Sequence, residues 1–250
     1  MPKFSVNSRE INAKLILFDI DGTLVDDKNR YKHLARARYD AFTSLLGEKV
    51  AEKWAKLEGI TMNPLKIDMN GPLSKAPRRE DLAIASTAIY LNGKTWNDAK
   101  TMATKIYSQA DETMKEIYKP TLFDKVDETL NELTSTGFML GVATNGDSKI
   151  STELLESIGV DSLFDVVIGA DMVNDAKPSP EMILKACESL EIAPSETVYV
   201  GDQPTDIQAG RAAEVGFIIA VGDKTLLDEG AQFVVDSISE FGVIGKKECS

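Results

Sequence analysis

Two pairs of carboxylates in the sequence have the spacing expected of a cation site. Asp19 and Asp21 are two residues apart, and Asp202 and Asp206 form a second pair further along the chain. Neighbouring carboxylates cannot both ionise cheaply unless a cation lies between them or one of them keeps its proton. Gly22, which follows the first pair, allows a turn that brings both carboxylates to the same space.

Two further segments have the composition expected of an anion site. Thr144 and Asn145 combine a hydroxyl with backbone N–H groups just before a predicted helix start, and the N-terminus of a helix attracts anions. Lys177 is followed by a proline, which predicts a lysine held in a rigid loop. Together with the carboxylate pairs, these residues predict one composite site.

All four segments lie at the end of a short apolar run. Such runs predict parallel strands that are buried on both faces, and helical patterns alternate with them along the chain. The alternation predicts an α/β fold, in which a parallel sheet has helices on both faces and binds ligands at the carboxyl ends of its strands. The predicted strands are 14–19, 138–143, 166–169, 197–201, 217–221 and 233–235, and the predicted helices between them span 124–136 or begin near 147, 179 and 204.

A long insert separates the first predicted strand from the others. Its apolar spacing predicts helices over 31–46, 50–57, 81–91 and 96–117, and the stretch 59–80, rich in Asn, Pro and Gly, is expected to be a loop. A loop of this length inside a compact domain is usually functional. We therefore expect a core of residues 1–25 and 119–250 and an all-helical insert of residues 26–118.

Composition and charge exclude several classes of protein. The chain has 250 residues, of which 43% are hydrophobic and 27% charged, and its longest apolar runs are too short to span a membrane. The net charge is −12, with +4 in residues 24–120 and −16 in the remainder, which disfavours non-specific nucleic-acid binding. Two cysteines and the absence of a secretory signal predict a soluble protein of the cytoplasm. The sequence leaves the oligomeric state open.

The order of these segments resembles the haloacid dehalogenase-like hydrolase superfamily, in its phosphoglycolate-phosphatase-like branch. The resemblance extends from Asp19 to Asp206 and includes the order of strands and helices. It implies a Rossmann-like core with a helical cap inserted after the first strand. It also implies a phosphatase that hydrolyses a small phosphomonoester through an aspartyl-phosphate intermediate.

The resemblance also implies a role for each residue that matches. Asp19 is then the nucleophile that accepts the phosphoryl group, and Asp21 is the acid that protonates the leaving alcohol and later the base that deprotonates water. Thr144 and the backbone N–H of Asn145 bind the phosphoryl oxygens, and Lys177 neutralises the nucleophile and the phosphate. These roles agree with the need to offset the repulsion between a carboxylate and a phosphate dianion.

The cofactor that the resemblance implies is Mg²⁺. Its ligands are the side chains of Asp19 and Asp202 and the backbone carbonyl of Asp21, with Asp206 acting behind them through water or through Lys177. All of these ligand atoms are hard oxygens, which is the chemistry that Mg²⁺ prefers.

Two other functions remain open at the level of sequence. A phosphosugar mutase of the same superfamily shares the acid at Asp21 and the type of cap. In a different class, phospho-acceptor signalling modules of the receiver type also group acidic residues, a Thr and a Lys around Mg²⁺, although they are much shorter and have no helical insert. The acid at Asp21 favours an oxygen leaving group, because a halide departs without a proton.

The substrate is not specified by these residues. Phosphoglycolate, a sugar phosphate and a nucleotide all fit a small phosphomonoester. Arg78 and Arg79 lie in the basic insert, and the planar fork of an arginine matches a carboxylate or a second phosphate. We therefore hypothesise that Arg78 or Arg79 contacts the non-reacting end of an acidic substrate.

Overall fold

The computed structural model describes residues 1–26 and 30–243, which form two compact units. One unit comprises Met1–Asp26 and Pro120–Ser250, and the other comprises Asp27–Lys119. The strands, in chain order, are β1 (Lys3–Val6), β2 (Arg9–Asn12), β3 (Leu15–Phe18), β4 (Ile60–Met62), β5 (Leu65–Ile67), β6 (Met139–Thr144), β7 (Val166–Gly169), β8 (Thr197–Gly201), β9 (Phe217–Val221), β10 (Phe233–Val235) and β11 (Gly242–Val243). The α-helices are α1 (Arg30–Leu46), α2 (Glu48–Leu57), α3 (Pro72–Lys75), α4 (Arg78–Tyr90), α5 (Trp96–Ile117), α6 (Val126–Ser135), α7 (Ser148–Ile158), α8 (Glu181–Ser189), α9 (Pro204–Ala212) and α10 (Leu226–Glu229).

The first unit is built on a parallel sheet whose strands follow the order β10-β9-β8-β3-β6-β7. The central strand β3 pairs with β6 and β8, so that Phe18 lies opposite both Val142 and Val200. Every residue of β3 is buried, as expected for a strand covered on both faces. All six predicted strands are therefore confirmed, and the carboxyl ends of β6, β3 and β8 lie side by side.

Helices cover both faces of this sheet. Ile16 and Phe18 of β3 belong to a core cluster that also contains Leu130 of α6 and Leu155 of α7. The alternate residue Leu17 packs on the other face, in a cluster that includes residues of α8 and α9. Because side chains alternate along a strand, one short apolar run supplies both cores. The predicted α/β class is confirmed.

A small antiparallel sheet in the order β11-β1-β2 was not predicted from the sequence. Phe4 and Val6 alternate with polar residues in β1 and are both fully buried. Asn7 and Ser8 make the turn to β2 with positive φ angles of 49° and 64°. The alternation extends over four residues, which is too short to be distinguished from a loop by periodicity.

The second unit is mainly helical. Its core lies between α1, α2, α4 and α5, where the ring of Phe42 stacks on Trp54 with 5.0 Å between centroids. The expectation of a loop over 59–80 was wrong, because this stretch contains the antiparallel hairpin β4–β5 and the short helix α3, and α4 already begins at Arg78. The apolar residues on either side of the Asn63–Pro64 turn face their partners across the hairpin, although the local composition is that of a loop. Within the described residues, no helix is long and apolar enough to cross a membrane.

Candidate active site

The neighbouring ends of β6, β3 and β8 carry the residues that the sequence singled out. Asp19 directly follows β3, Thr144 is the last residue of β6, and Asp202 directly follows β8. The backbone N–H of Asp19 donates to the carbonyl of Val200 at 2.9 Å, which continues the β3–β8 pairing beyond the last residue of the strand. The register of a parallel sheet thus brings together side chains that are far apart in sequence.

Lys177 lies between two carboxylates. Its Nζ is 2.8 Å from Oδ1 of Asp19 and 2.6 Å from Oδ1 of Asp206, and all three side chains are buried. The structure therefore places Lys177 beside the predicted nucleophile and also beside Asp206. Removing either partner of a buried ion pair leaves an uncompensated charge, so the three groups form one electrostatic unit.

The carboxylates of the site carry more negative charge than Lys177 balances. Burial raises the pKa of Asp19 from 3.8 to about 7, although the charge of Lys177 opposes the shift. Burial and the charge of Asp19 raise the pKa of Asp202 from 3.8 to about 8. In contrast, the pKa of Lys177 lies well above its usual value because the carboxylates outweigh its desolvation. A second cation at these carboxylates would lower the cost of ionising them.

A metal ion fits this group of oxygens. One carboxylate oxygen from each of Asp19, Asp202 and Asp206 lies within 4.8 Å of the others. Asp206 is fully buried and is already neutralised within the protein, because its Oδ1 accepts from the Lys177 ammonium and its Oδ2 accepts from the backbone N–H of Gln203 at 2.9 Å. In contrast, Asp202 is only partly buried and pairs with no cationic side chain of the residues that the structure describes. Asp19 and Asp202 are therefore the side chains best suited to hold a hard cation such as Mg²⁺.

Asp202 is held in place by its neighbours. The hydroxyl of Thr23 donates to its Oδ1 at 3.4 Å, and the side-chain amide of Gln203 donates to its Oδ2. Gly22 has a positive φ of 79°, and a β-carbon at this position would collide with the Asp202 carboxylate. The turn that was expected at Gly22 therefore also allows Asp202 to lie close to the chain that follows Asp19.

Asp21 lies two residues beyond the nucleophile on the same turn. It forms an isolated parallel bridge with Val25 and is partly buried. Its charge is one of the influences that raise the pKa of Asp19, so the two carboxylates are within electrostatic reach of each other. This position agrees with the sequence interpretation of a carboxylate pair facing a shared space.

Thr144 and Asn145 fix the turn that leads from β6 to α7. The Thr144 hydroxyl accepts from the backbone N–H of Gly146 at 3.1 Å. The side chain of Asn145 reaches Lys177, where its Oδ1 accepts from the backbone N–H at 3.0 Å and its Nδ2 donates to the carbonyl at 3.4 Å. Sequence analysis assigned Asn145 only a backbone role, and the structure adds this side-chain contact.

The first backbone N–H groups of the helix α7, which follows this turn, already have acceptors. Oδ1 of Asp147 accepts from the backbone N–H groups of Lys149 and Ile150 at 3.0 and 3.1 Å. Asp171 accepts both the backbone N–H and the hydroxyl of Ser148 at 2.7 Å. Since these N–H groups of α7 already have carboxylate acceptors, an anion would have to bind before the helix, at Thr144 and Asn145.

Tyr199 and Gln203 were not predicted from the sequence to belong to this site. The hydroxyl of Tyr199 is 3.1 Å from Nζ of Lys177, 3.1 Å from Oδ1 of Asp206 and 3.0 Å from the carbonyl oxygen of Ala143. Tyr199 lies in an apolar strand, and a tyrosine at such a position is normally interpreted as a core residue. The sequence carries one sign of this role: a tyrosine lies within a strand of apolar residues. A buried tyrosine hydroxyl usually has a polar partner.

The two arginines that the sequence singled out are the first residues of α4. The guanidinium of Arg78 binds both carboxylate oxygens of Asp111, at 2.5 and 3.3 Å, and lies 4.9 Å from the centroid of the Tyr107 ring. Arg79 is exposed. The guanidinium of Arg78 therefore has a partner within its own unit, and the substrate contact stays a prediction for both arginines.

Comparison with known proteins identifies a family, related sequences and similar folds. The family model described as haloacid dehalogenase-like hydrolase matches residues 16–220. A phosphoglycolate phosphatase from Salmonella typhi is 30% identical over 218 residues, which are 81% of this chain and 79% of the relative. Among solved structures, a predicted phosphoglycolate phosphatase from Haemophilus somnus 129pt is 22% identical with a TM-score of 0.65, and covers 91% of this chain and 96% of its own. A β-phosphoglucomutase from Clostridium difficile is 23% identical with a TM-score of 0.67, and covers 91% of this chain and 92% of its own.

The chain belongs to the haloacid dehalogenase-like hydrolase family, because the family model matches most of its length. It is a hydrolytic enzyme, and its phosphatase relatives support the phosphoglycolate-phosphatase-like branch that the sequence resembles. The two solved structures show the same fold, and one of them is a mutase by name.

Proposed function

We propose that this enzyme is a Mg²⁺-dependent phosphatase that hydrolyses a small phosphomonoester through an aspartyl-phosphate on Asp19. The observation that carries the proposal is the position of the Lys177 ammonium, 2.8 Å from Asp19 and 2.6 Å from Asp206, at strand ends that also carry Asp202. A buried carboxylate flanked by fixed positive charge can attack a phosphate dianion that would otherwise repel it.

The first step of the proposed reaction is phosphoryl transfer to the protein. An Asp19 carboxylate oxygen attacks phosphorus, and the bond from phosphorus to the substrate oxygen breaks. Asp21 gives its proton to the leaving alkoxide, so that the alcohol departs neutral. Thr144, the backbone N–H of Asn145 and Lys177 hold the phosphoryl oxygens, whose charge they offset.

The second step returns the enzyme to its starting state. Asp21, now a carboxylate, takes a proton from water as the water oxygen attacks phosphorus. The bond from phosphorus to Asp19 breaks, which releases inorganic phosphate and restores the Asp19 carboxylate. Splitting one difficult displacement into two is the usual benefit of a covalent intermediate.

The residues proposed to hold Mg²⁺ are Asp19 and Asp202, together with the backbone carbonyl of Asp21. When bound, the ion neutralises negative charge at the reacting phosphoryl group. Asp206 acts behind these ligands, since it accepts from Lys177 and caps the first turn of α9.

We further propose that the helical unit is the cap domain and that its basic surface selects an acidic substrate. Arg78, whose guanidinium is held against Asp111, and Arg79, whose side chain is exposed, are the candidates for this contact. Phosphoglycolate, which appears in the names of relatives, is a small acidic phosphomonoester and is the first compound to test. The proposed setting is a soluble cytoplasmic enzyme.

The decisive experiment is a substrate panel assayed with the full chain. Phosphoglycolate, sugar phosphates, nucleotides and p-nitrophenyl phosphate are incubated with Mg²⁺ or with excess chelator, and inorganic phosphate is measured. We expect phosphate release that requires Mg²⁺. Full turnover in chelator would contradict the metal requirement, and formation of a sugar-phosphate isomer without phosphate release would identify a mutase.

Metal binding can be tested apart from turnover. Mg²⁺ should raise the melting temperature of the wild-type protein, because a ligand that binds the folded state stabilises it. Asp202→Asn should lose this rise. The exposed Asp161→Asn is the matched control and should keep it.

A further inference from the structure

The hydroxyl of Tyr199 lies among the contacts of Lys177, and the proposed reaction gives it no role. Tyr199 belongs to β8 and is fully buried. Its ring packs in the same core cluster as Leu17 and Ala209, so the fold itself sets the position of the hydroxyl. A buried hydroxyl with a fixed position can determine where its neighbours direct their protons.

Lys177 has more acceptors within reach than it has protons. An ammonium group carries three N–H bonds. Four oxygen atoms lie near Nζ: Oδ1 of Asp19 at 2.8 Å, Oδ1 of Asp206 at 2.6 Å, the Ala143 carbonyl at 3.0 Å and the Tyr199 hydroxyl at 3.1 Å. The Tyr199 hydroxyl supplies a fourth proton, and two acceptors lie near it, the Ala143 carbonyl at 3.0 Å and Oδ1 of Asp206 at 3.1 Å.

The numbers of protons and acceptors determine which N–H of Lys177 can turn to a new acceptor. If Tyr199 donates to Ala143, Lys177 donates to Asp19, to Asp206 and to the Tyr199 oxygen. Of these three, the bond to Tyr199 is the cheapest to give up, because that hydroxyl stays hydrogen-bonded through its own proton. Losing a bond to a buried carboxylate or carbonyl would leave an acceptor unsatisfied.

Building on the proposed function, we propose that Tyr199 is a positioning residue for phosphoryl binding. Its hydroxyl donates to the Ala143 carbonyl and thereby releases one N–H of Lys177 for a phosphoryl oxygen. The other two N–H groups stay on Asp19 and Asp206. Lys177 can then serve substrate and protein at the same time.

Tyr199→Phe removes the hydroxyl oxygen and its proton. The variant therefore tests how the N–H groups of Lys177 are shared between the protein and a phosphoryl oxygen. In the free variant, Lys177 donates to Asp19, Asp206 and Ala143, so every acceptor remains satisfied and the melting temperature stays close to that of the wild type. When a phosphoryl oxygen binds, one N–H must leave a buried acceptor that has no replacement donor. Phosphate binding should therefore weaken by about ten- to a hundredfold.

The experiment measures binding of inorganic phosphate to the full chain by calorimetry in the presence of Mg²⁺, with melting temperatures recorded with and without phosphate. The control is Tyr90→Phe, which removes a hydroxyl from an exposed residue and should leave phosphate affinity unchanged. We expect Tyr199→Phe to keep the melting temperature of the free protein and to lose most of the rise that phosphate causes.

Two results would overturn the proposal. One is wild-type phosphate affinity in Tyr199→Phe. The other is a free variant that unfolds or melts far below the wild type, because that outcome would give the hydroxyl a purely structural role. Binding of phosphate is measured without turnover, so a wild-type protein that binds phosphate but hydrolyses no phosphomonoester would refute the proposed function and leave the role of Tyr199 standing.

Discussion

The side chain of Asn145 binds the backbone of Lys177 on both sides of its α-carbon. Oδ1 of Asn145 accepts from the Lys177 N–H at 3.0 Å, and Nδ2 donates to the Lys177 carbonyl at 3.4 Å. The residue that follows β6 therefore fixes the loop that carries the lysine. Two segments separated by 32 residues are joined in this way at the proposed phosphate-binding site.

Asn145→Ala should lower kcat by about tenfold or more, because each lost hydrogen bond frees the Lys177 loop to move away from Asp19. Asn145→Asp keeps the acceptor and loses the donor, so its loss of activity should be smaller. Steady-state kinetics with the best substrate of the panel measures both effects. Asn131→Ala, at an exposed position on α6, is the matched control, and equal rates for the two alanine variants would show that the Asn145 contact does not matter.

Asp21→Asn should slow the hydrolysis of alkyl phosphates far more than that of p-nitrophenyl phosphate. An alcohol of high pKa needs a proton in order to leave, whereas p-nitrophenolate departs without one. The ratio of kcat/KM for the two substrates is the measurement, and it is independent of the amount of active enzyme. Equal losses on both substrates would mean that Asp21 is not the general acid.

Arg78→Ala should lower the stability of the protein, and Arg79→Ala should weaken the binding of an acidic substrate. Arg78→Ala removes the ion pair with Asp111 and the contact with the Tyr107 ring, and should cost about 1–2 kcal/mol of stability. Arg79→Ala should raise KM for an acidic substrate by about tenfold, with little effect on p-nitrophenyl phosphate. If Arg79→Ala treats the two substrates alike, specificity resides in other residues.

Glu58 should make the stability of the helical unit depend on pH. Glu58 is buried beside Asp81, Arg38 and Tyr107, and burial and the charge of Asp81 raise its pKa from 4.5 to about 9. A carboxyl whose pKa is higher in the folded state releases a proton on unfolding between these two values. Its contribution to the free energy of unfolding is therefore fully present below pH 4.5 and is lost as the pH rises towards about 9.

Glu58→Gln keeps the shape of the neutral acid and removes the titration. Relative to the wild type, its melting temperature should improve by about 2–4 °C or more between about pH 5 and about pH 8. Thermal unfolding across this range measures the difference, and the exposed Glu52→Gln on α2 is the control. A variant that follows the wild-type pH profile would show that Glu58 is ionised in the folded protein.

The parallel sheet could be predicted from the sequence because its strands are buried on both faces. Continuous apolar runs such as Leu15–Phe18 are unambiguous when a carboxylate or a helix start follows them. The antiparallel strands escaped detection because β1 and β4 are only four and three residues long. Periodicity within a short segment carries too little information to reveal such pairing.

The candidate site could be predicted as far as it depends on residues at strand ends. Asp19, Lys177 and Asp206 are polar residues where the apolar pattern stops, so they stand out. Tyr199 lies within a strand, and its hydroxyl meets its polar neighbours Lys177, Asp206 and the Ala143 carbonyl only in the folded chain. The ion pair of Arg78 could not be predicted for a related reason, since its partner Asp111 lies on another helix.

The central claim is that Asp19 carries the phosphoryl group during turnover. The direct test mixes wild-type enzyme and Asp19→Asn with a phosphomonoester labelled in its phosphoryl group, in the presence of Mg²⁺, and stops the reaction with acid before the first turnover is complete. The account predicts label bound to the wild-type chain, in the peptide that contains Asp19, and none on the variant, which should also lack turnover. An Asp19→Asn enzyme that hydrolyses the substrate at the wild-type rate, or label found on a different residue, would contradict it.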